Sequence, residues 1–439
     1  MGAATGAATR KLFGTDGVRG VAGEFLSAEL ALALARAATM RVQRERPARV
    51  LIIRDTRESG EMLEAAVAAG VAAAGGDALL GGVLPTPGAP LLIGRYGFDL
   101  AAVLSASHNP YQDNGIKFFG GDGFKLSDAV ELEIEGLLEA PLPSGRIGRV
   151  RRLHGALEDY LRALHERFAD LDLSGRRILL DCANGATYEA GPEIFRRLGA
   201  HVDAMAATPD GRNINAGCGS THLEPLRSAM ASGDHDMGFA FDGDGDRLLA
   251  VDRTGAVVDG DEMIALAATH LGVSGVAVTV MTNYGFHAAM REAGIDVATT
   301  QVGDRYVLEA LRERGWRLGG EQSGHIIDVG FVPSGDGIAS ALLAIEALGD
   351  AGMHDRHAME KLPQTLVNVR VRDREALGGA TAVHDAVERE LAALEGRGRV
   401  LLRPSGTEPL VRVMVEAPTA EEAASVCSRL VALVEAELT

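Results

Sequence analysis

Residues 50–80, VLIIRDTRESGEMLEAAVAAGVAAAGGDALL, decide the fold because they contain an apolar run, a polar loop, a helical stretch and a second apolar run after Gly76. This order predicts a β-strand, an α-helix and another β-strand. The same layout recurs from residue 178 through Gly199 to residue 202, and from residue 276 through Gly294 to residue 297. Strands that alternate with helices predict parallel pairing, with functional loops at the carboxyl ends of the strands. We therefore predict three similar α/β domains with mainly parallel, mixed sheets.

The pattern changes beyond about residue 365, where Leu366-Val-Asn-Val-Arg-Val371 alternates and a helix-like stretch precedes another apolar run at residues 400–402. This part predicts a smaller C-terminal α+β domain. A chain of 439 residues is long enough for three or four domains. The predicted domain ranges are 1–155, 156–258, 259–364 and 365–439.

Composition and charge disfavour several classes of partner. The net charge is −18, from 43 basic and 61 acidic residues, so broad electrostatic binding to nucleic acid or anionic lipid is not expected. The most membrane-like stretch, residues 65–76, is shorter than the roughly 20 residues of a spanning helix. The N-terminus has no apolar export signal, and the three cysteines form neither a CxxC pair nor a disulfide framework. We expect a cytoplasmic protein without a membrane partner; its oligomeric state is left open, with a homodimer as one candidate.

A candidate nucleophile lies in Ser105-Ala-Ser-His-Asn-Pro110, which follows the apolar run at residues 100–104. Ser107 would emerge just beyond a strand, beside His108. An Asn-Pro turn with incidental serines explains the hexapeptide equally well when it is considered alone. The nucleophile elbow of hydrolases is excluded, because it requires glycines at the positions that Ser105 and Asn109 occupy.

A candidate metal site lies in Asp242-Gly-Asp-Gly-Asp-Arg247, which places three carboxylates at alternate positions after an apolar run. Three oxygen ligands of this kind favour Mg²⁺ over softer metals. A calcium-binding EF-hand is excluded, because its sixth and twelfth positions hold Arg247 and Arg253 here. The alternative is an acidic surface turn, in which three close carboxylates would repel one another.

A candidate phosphate-binding loop, Arg403-Pro-Ser-Gly-Thr-Glu408, lies between two apolar runs. It offers a guanidinium, hydroxyls and a glycine whose backbone can approach an anion. An ordinary hairpin connection is the alternative. The candidate residues are Arg403, Ser405, Gly406, Thr407 and Arg412.

Two more polar turns are candidate substrate-binding loops. Glu321-Gln-Ser-Gly-His325 combines a carboxylate, a hydroxyl and an imidazole that suit sugar hydroxyls, although a solvated loop would contain the same residues. Phe13-Gly-Thr-Asp-Gly-Val-Arg-Gly20 is a glycine-rich turn in which Arg19 is the candidate anion contact. The chain has neither a G-x-G-x-x-G fingerprint nor a Walker A motif, so nothing supports a dinucleotide or nucleoside triphosphate.

These motifs, in this order, resemble those of the α-D-phosphohexomutase family, and the resemblance spans nearly the whole chain. It implies that Ser107 carries a phosphoryl group and that phospho-Ser107, Asp242, Asp244 and Asp246 hold one Mg²⁺. It further implies that the substrate-binding residues are Glu321, Ser323, Arg403, Ser405, Gly406, Thr407, Arg412 and Arg247. The candidate catalytic residues are Ser107, His108, Lys117, His325 and Arg19, and either Lys117 or His325 is the general acid or base.

The resemblance also implies four domains around a central cleft and a reaction sequence. Phospho-Ser107 would donate to a hexose monophosphate, and the resulting 1,6-bisphosphate would turn around and return its other phosphate to Ser107. Gln322 and Val302-Gly-Asp-Arg-Tyr306 favour a hexosamine phosphate as substrate and its 1,6-bisphosphate as intermediate. The alternatives are a glucose or mannose phosphate substrate, or a protein that binds sugar phosphate without catalysis.

Overall fold

The computed structural model describes residues 12–14, 16–141, 146–405 and 408–439. These residues form two compact units. The first extends to Val280 and resumes over Asp296–Arg356, and the second combines Met281–Ile295 with His357–Thr439. Within the described residues, no helix has both the length and the apolar character needed to cross a bilayer.

The first predicted domain contains a six-stranded sheet in the order β1-β5-β4-β2-β3-β6. Its strands are β1 (Val18–Val21), β2 (Arg49–Arg54), β3 (Asp77–Val83), β4 (Leu100–Leu104), β5 (Asp113–Gly120) and β6 (Val150–Arg152). Its helices are α1 (Ala28–Val42), α2 (Ser59–Ala73), α3 (Gly88–Tyr96) and α4 (Asp128–Gly136). Every residue of β4 is buried, so both faces of the sheet are covered at this strand, as in other parallel sheets.

The second predicted domain contains a five-stranded sheet in the order β11-β10-β9-β7-β8. Its strands are β7 (Arg177–Asp181), β8 (His201–Met205), β9 (Met237–Phe241), β10 (Leu248–Asp252) and β11 (Val257–Val258). Its helices are α5 (Ala156–Arg167), α6 (Thr187–Arg197) and α7 (Glu224–Ser232).

The third predicted domain contains a four-stranded sheet in the order β13-β12-β14-β15. Its strands are β12 (Gly275–Thr279), β13 (Asp296–Thr300), β14 (Leu318–Gly320) and β15 (Ile326–Asp328). The helices of this part of the chain are α8 (Gly260–Leu271), α9 (Tyr284–Glu292), α10 (Asp304–Arg314) and α11 (Gly337–Leu348), followed by a 3₁₀ helix at Met353–Asp355. Of these helices, α9 belongs to the second compact unit.

The three sheets share one topology. In each, two strands joined in sequence by a helix pair in parallel, a third strand joins them in parallel, and a fourth pairs antiparallel to the third. The Ser107, Asp242 and Glu321 motifs each lie in the loop between the third and fourth strands. The prediction of three similar α/β domains with mixed sheets is therefore confirmed, and the three motifs occupy equivalent positions.

The second unit contains an antiparallel three-stranded sheet in the order β16-β18-β17, which confirms the smaller α+β domain. Its elements are β16 (Gln364–Arg370), a 3₁₀ helix at Arg374–Gly379, α12 (Thr381–Leu394), β17 (Arg399–Pro404), β18 (Leu410–Glu416) and α13 (Ala420–Leu438). Each of the first three sheets falls inside one predicted domain range, and the fourth begins at Gln364, one residue before the predicted start of its range. The domain boundaries themselves stay a prediction.

Candidate active site

Ser107 lies in the loop after β4 in an unusual backbone conformation. Its φ is +53°, in the left-handed region that costs a non-glycine residue about 1–3 kcal/mol and persists only where the surroundings impose it. The side chain is buried, and its Oγ donates a hydrogen bond to Asp242 Oδ2 at 2.5 Å. The next residue, His108, brings its Nδ1 to 3.4 Å from the same oxygen. The structure therefore directs the candidate nucleophile of the first sheet at the acidic loop of the second.

The acidic loop after β9 gathers its three carboxylates. Asp242, Asp244 and Asp246 are all buried, and one oxygen of each lies within 4.8 Å of the others. Among the described residues, no group donates a hydrogen bond to the buried Oδ1 atom of Asp244. Buried acceptors without donors are costly, and a divalent cation would satisfy them with the hard oxygen ligands that Mg²⁺ prefers. The residues therefore fit the predicted metal.

The pKa values of this cluster are set by burial and by the neighbouring charges. Burial raises the pKa of Asp242 well above its usual range, and the carboxylates of Asp244 and Asp246 raise it further. Burial opposes ionisation of Asp246 too, but Lys117 and His325 hold its pKa well below the usual range. The cluster concentrates more negative charge than its protein neighbours neutralise at Asp242, which is the condition for cation binding.

Lys117, on β5, contacts the Asp242 loop directly. Its Nζ lies 2.9 Å from Asp244 Oδ2, 3.1 Å from Asp16 Oδ2 and 3.6 Å from Asp246 Oδ2. Burial lowers the pKa of its ammonium, but the three carboxylates outweigh burial and raise the pKa above its ordinary value. Lys117 is therefore held protonated.

His325, the last residue of the third motif, faces the same loop. Its Nδ1 lies 3.5 Å from Asp246 Oδ1, and its Nε2 accepts a hydrogen bond from the Gly335 amide at 3.2 Å. A ring nitrogen that accepts from an amide carries no proton, so the proton of neutral His325 is on Nδ1, facing Asp246. Burial lowers the pKa of His325, whereas Asp246 and Asp304 raise it, with a raised pKa as the net result.

Three charged residues that sequence reasoning missed connect these groups. Lys125 Nζ lies 2.6 Å from Asp16 Oδ1 and 2.5 Å from Asp304 Oδ2, and Asp304 Oδ2 lies 3.6 Å from His325 Nε2. Burial would raise the pKa of Asp16, but Lys117, Lys125 and Arg19 hold it well below its usual range.

The charged residues that contact one another around this site form a closed series, which we call the charge ring. In order of contact its members are Asp244, Lys117, Asp16, Lys125, Asp304, His325 and Asp246. Asp16 and Asp304 lie in residues 13–20 and 302–306, two stretches in which Arg19 alone was predicted to have a role.

Arg19 and Arg247 lie at the loop that carries Ser107. Arg19 forms an ion pair with Asp16, and its Nη1 lies 3.4 Å from the Ala106 carbonyl oxygen. Arg247 Nη1 lies 3.4 Å from His108 Nδ1. Both arginines lower the pKa of His108, although burial of the imidazole is the larger cause. The loop thus has two guanidinium groups beside the candidate phosphoserine.

The Glu321 loop is fixed mainly by its backbone. Glu321 is buried, and its Oε1 accepts a hydrogen bond from the Gly303 amide at 3.0 Å, whereas Ser323 is exposed. Gly324 has a φ of +89°, and a Cβ there would lie 1.8 Å from the Leu248 carbonyl oxygen, so only glycine permits this approach of the loop to β10. The structure brings this loop together with the Ser107 and Asp242 loops in the first compact unit.

The Arg403 loop lies in the second unit, where Arg403 and Arg412 face each other across β17 and β18. Partial burial and the neighbouring charge of Arg412 lower the pKa of Arg403. Two adjacent guanidinium groups favour an anion between them. Ser405 is buried and its carbonyl oxygen accepts a hydrogen bond from Arg374 Nη1 at 2.7 Å. The remaining two predicted residues, Gly406 and Thr407, lie outside the described residues.

Comparison with known proteins places the chain in one family. Profiles described as phosphoglucomutase/phosphomannomutase match it in four parts, as alpha/beta/alpha domains I, II and III over residues 10–142, 158–255 and 259–366, and as a C-terminal domain over residues 366–433. The phosphoglucosamine mutase of Deinococcus deserti is 50% identical over 439 residues, covering 97% of this chain and 98% of the relative. That of Pseudomonas fluorescens is 47% identical over 421 residues, covering 93% and 95%.

Solved structures agree on the fold. A phosphoglucomutase/phosphomannomutase family protein from Burkholderia thailandensis aligns with a TM-score of 0.82 at 23% identity, over 97% of both chains. The N-acetylphosphoglucosamine mutase of Aspergillus fumigatus, solved with GlcNAc-6P and magnesium, aligns with a TM-score of 0.70 at 18% identity, over 98% of this chain and 96% of that one. Four matching family profiles and close relatives along nearly its whole length show that the chain belongs to the phosphoglucomutase/phosphomannomutase family, as its motifs predicted.

Proposed function

We propose that the protein is a phosphoglucosamine mutase, which interconverts glucosamine 6-phosphate and glucosamine 1-phosphate and so supplies amino-sugar nucleotide and cell-wall precursor synthesis. The observation that carries the proposal is the position of Ser107, whose Oγ lies 2.5 Å from Asp242 in a cluster of three buried carboxylates. A protein that only binds sugar phosphate has no use for a serine in a strained conformation beside a cation site. The relatives at 47–50% identity that bear the name phosphoglucosamine mutase support the choice of substrate.

The proposed reaction has two half-reactions that use the same serine. In the first, the bond between phosphorus and Ser107 Oγ breaks, a bond forms to the free hydroxyl of the substrate, and the hydroxyl proton passes to a base. In the second, the other phosphate of the 1,6-bisphosphate is transferred back to Ser107 Oγ, and the product hydroxyl regains a proton. Asp242, Asp244 and Asp246 would hold Mg²⁺, which offsets charge on the transferring group.

We propose different roles for the two acid–base candidates. Lys117 is held protonated by Asp16 and Asp244, which suits a fixed positive charge beside the transferring phosphoryl group better than proton transfer. His325 carries its proton on the nitrogen that faces Asp246, which suits orientation of that carboxylate. His108 and Arg19 adjoin the phosphoserine loop and complete the proposed catalytic set.

We also propose roles for the substrate-binding residues. Glu321 and Ser323 would bond sugar hydroxyls, and Arg247 lies near enough to the phosphoserine loop to meet a phosphate. In the second unit, Arg403 and Arg412 present adjacent charges that suit the phosphate that is not being transferred. Ser405, Gly406 and Thr407 would add hydroxyl and amide donors. A cytoplasmic location is part of the proposal, since all three cysteines are buried and unpaired, as expected in a reducing compartment.

The test compares substrates on one preparation. Purified protein, primed with the matching 1,6-bisphosphate, is assayed with glucosamine, glucose and mannose phosphates at the same Mg²⁺ concentration, and its intact mass is measured for one added phosphoryl group. We expect the highest kcat/KM for glucosamine 6-phosphate, with side activity on glucose phosphate. A preference for glucose or mannose phosphate would identify a phosphoglucomutase or phosphomannomutase, and a protein that takes up no phosphate and turns over no substrate would be a binding protein.

A further inference from the structure

A buried arginine beyond the proposed catalytic set holds the loop that carries Ser107. Arg57 follows β2, is 1% exposed, and belongs to the largest fully buried side chains of the described residues. Its Nη2 donates to the carbonyl oxygens of Ser107 at 2.8 Å and Asn109 at 2.9 Å. Its Nη1 donates to the carbonyl oxygens of Asp113 at 3.0 Å and Pro110. One guanidinium therefore binds four backbone carbonyls of a single loop.

The charge of Arg57 is balanced by a carboxylate that also reaches the loop. Asp55 Oδ2 lies 2.9 Å from Arg57 Nε and accepts a hydrogen bond from Ser105 Oγ at 2.5 Å. Ser105 Oγ in turn accepts a hydrogen bond from the Ser107 amide at 2.9 Å. The amide and the carbonyl of Ser107 are thus both tied to one buried ion pair.

Asn215, from the second predicted domain, holds the same loop from another direction. Its Nδ2 donates to the carbonyl oxygens of Ser107 at 2.9 Å and Asn109 at 3.1 Å, which are the two oxygens that Arg57 Nη2 also binds. A Cβ on Gly243 of the metal-binding loop would lie 2.5 Å from the Ser107 carbonyl oxygen. The peptide groups on both sides of Ser107 are therefore fixed, and Oγ is the polar atom of this residue that remains available for reaction.

We propose that Arg57, assisted by Asn215, is a positioning residue that keeps Ser107 in its left-handed conformation and its Oγ directed at Asp242 through both half-reactions. The inference rests on the proposed function, because the same Oγ must be the leaving atom first and the attacking atom second. A loop that relaxed between the two steps would lose the alignment that phosphoryl transfer requires. Arg57 touches neither substrate nor metal in this role and acts through the backbone of Ser107.

The test uses Arg57→Lys, which keeps a positive charge beside Asp55 but lacks the planar fork that reaches four carbonyls. We expect kcat to fall about 100-fold, the size of loss expected from a misplacement near 1 Å, with KM for glucosamine 6-phosphate close to that of the wild type. Arg54→Lys is the matched control. Arg54 ends β2, and its ion pairs are with Glu61 and Glu64 of α2. The kcat of Arg54→Lys should therefore stay within about twofold of the wild type.

A second variant and a spectroscopic signal separate positioning from general support of the fold. Asn215→Ala removes two donors from the same carbonyls without changing any charge, and we expect a loss of about 10-fold in kcat. In the double variant the losses should combine to less than their product, because both residues act on the same two oxygens. The ³¹P resonance of phospho-Ser107 should shift or broaden in Arg57→Lys and Asn215→Ala, and stay unchanged in Arg54→Lys.

The outcomes are distinct. A kcat within about threefold of the wild type in folded Arg57→Lys, with an unchanged ³¹P resonance, would overturn the inference. If Arg57→Lys does not fold, the kcat and the ³¹P resonance of Asn215→Ala test the inference instead. A wild-type protein without phospho-Ser107 or mutase turnover would instead overturn the proposed function, whatever the variants show.

Discussion

At the residue scale, the three carboxylates of the proposed metal site make the first prediction. Asp244 accepts hydrogen bonds from Thr86 Oγ1 at 2.7 Å and Lys117 Nζ at 2.9 Å through Oδ2, while its buried Oδ1 has no donor among the described residues. Asp244→Asn should weaken Mg²⁺ binding by at least about 100-fold, since loss of groups that only support a ligand already costs 10- to 100-fold. Mg²⁺ titrations of activity after treatment with chelator measure this shift.

The control is Asp234→Asn, because Asp234 is exposed and forms a surface ion pair with Arg177. Its Mg²⁺ dependence should match the wild type. Full activity of Asp244→Asn in the presence of chelator would contradict the metal site.

Two of the motifs were predicted from the apolar run that precedes them. Ser107 and Asp242 each follow such a run, and the structure places both, together with Glu321, at the same point of a repeated topology. Arg57 also follows an apolar strand, in Arg54-Asp-Thr-Arg57, but charged residues often follow strands. Only the folded chain shows that its guanidinium turns inward to the Ser107 loop. The sequence therefore shows that Arg57 follows a strand, but its contact with the Ser107 loop is a tertiary contact that no local pattern predicts.

At the scale of elements, the start of α11 makes a prediction about pH. Asp336 is the N-cap residue of α11, and it accepts hydrogen bonds from the Ala339 amide and the Tyr160 hydroxyl. Burial raises the pKa of Asp336 to about 7. Because the folded state binds this proton more tightly than the unfolded state, the stabilisation is full below the unfolded pKa near 4 and is lost as pH rises through 7.

Asp336→Asn should remove the pH-dependent loss of stability, because asparagine does not titrate, while its side-chain oxygen still accepts a hydrogen bond from the Ala339 amide. Between pH 4 and pH 7, the free energy of unfolding should fall less steeply than in the wild type, by up to about 1.4 kcal/mol per pH unit. Urea unfolding at a series of pH values measures the slope. Asp373→Asn, at the exposed start of a 3₁₀ helix, is the control, and equal slopes in wild type and Asp336→Asn would reject the assignment.

At the scale of the molecule, buried and half-buried charges join the three α/β domains of the first unit. The charge ring takes Asp16, Lys117 and Lys125 from the first predicted domain, Asp244 and Asp246 from the second, and Asp304 and His325 from the third. Sequence reasoning found its catalytic candidates but not Asp16, Lys125 or Asp304. Their partners are up to 179 residues away, so no local pattern identifies them.

Lys125 should therefore contribute strongly to stability. Its side chain is 13% exposed and lies between Asp16 and Asp304. Lys125→Met therefore removes the ammonium nearest to Asp304 and one of the three cations beside Asp16, which keeps Lys117 and Arg19. We expect a loss of about 3–5 kcal/mol in the free energy of unfolding, measured by urea unfolding. Adding Asp304→Asn should recover part of the loss because the two residues are coupled. A loss below about 1 kcal/mol would show that the ring is electrostatically unimportant.

The central claim is that the phosphoryl group on Ser107 is the one given to the sugar, and a single-turnover experiment tests it most directly. Protein phosphorylated on Ser107 is mixed with one equivalent of glucosamine 6-phosphate and Mg²⁺, and phosphoserine and sugar bisphosphate are quantified over time, with Ser107→Ala as the unphosphorylated control. We predict that phospho-Ser107 declines as glucosamine 1,6-bisphosphate appears in equal amount, followed by glucosamine 1-phosphate and recovered phosphoserine. Formation of glucosamine 1-phosphate while Ser107 keeps its original phosphate, or formation of product by Ser107→Ala, would contradict the account.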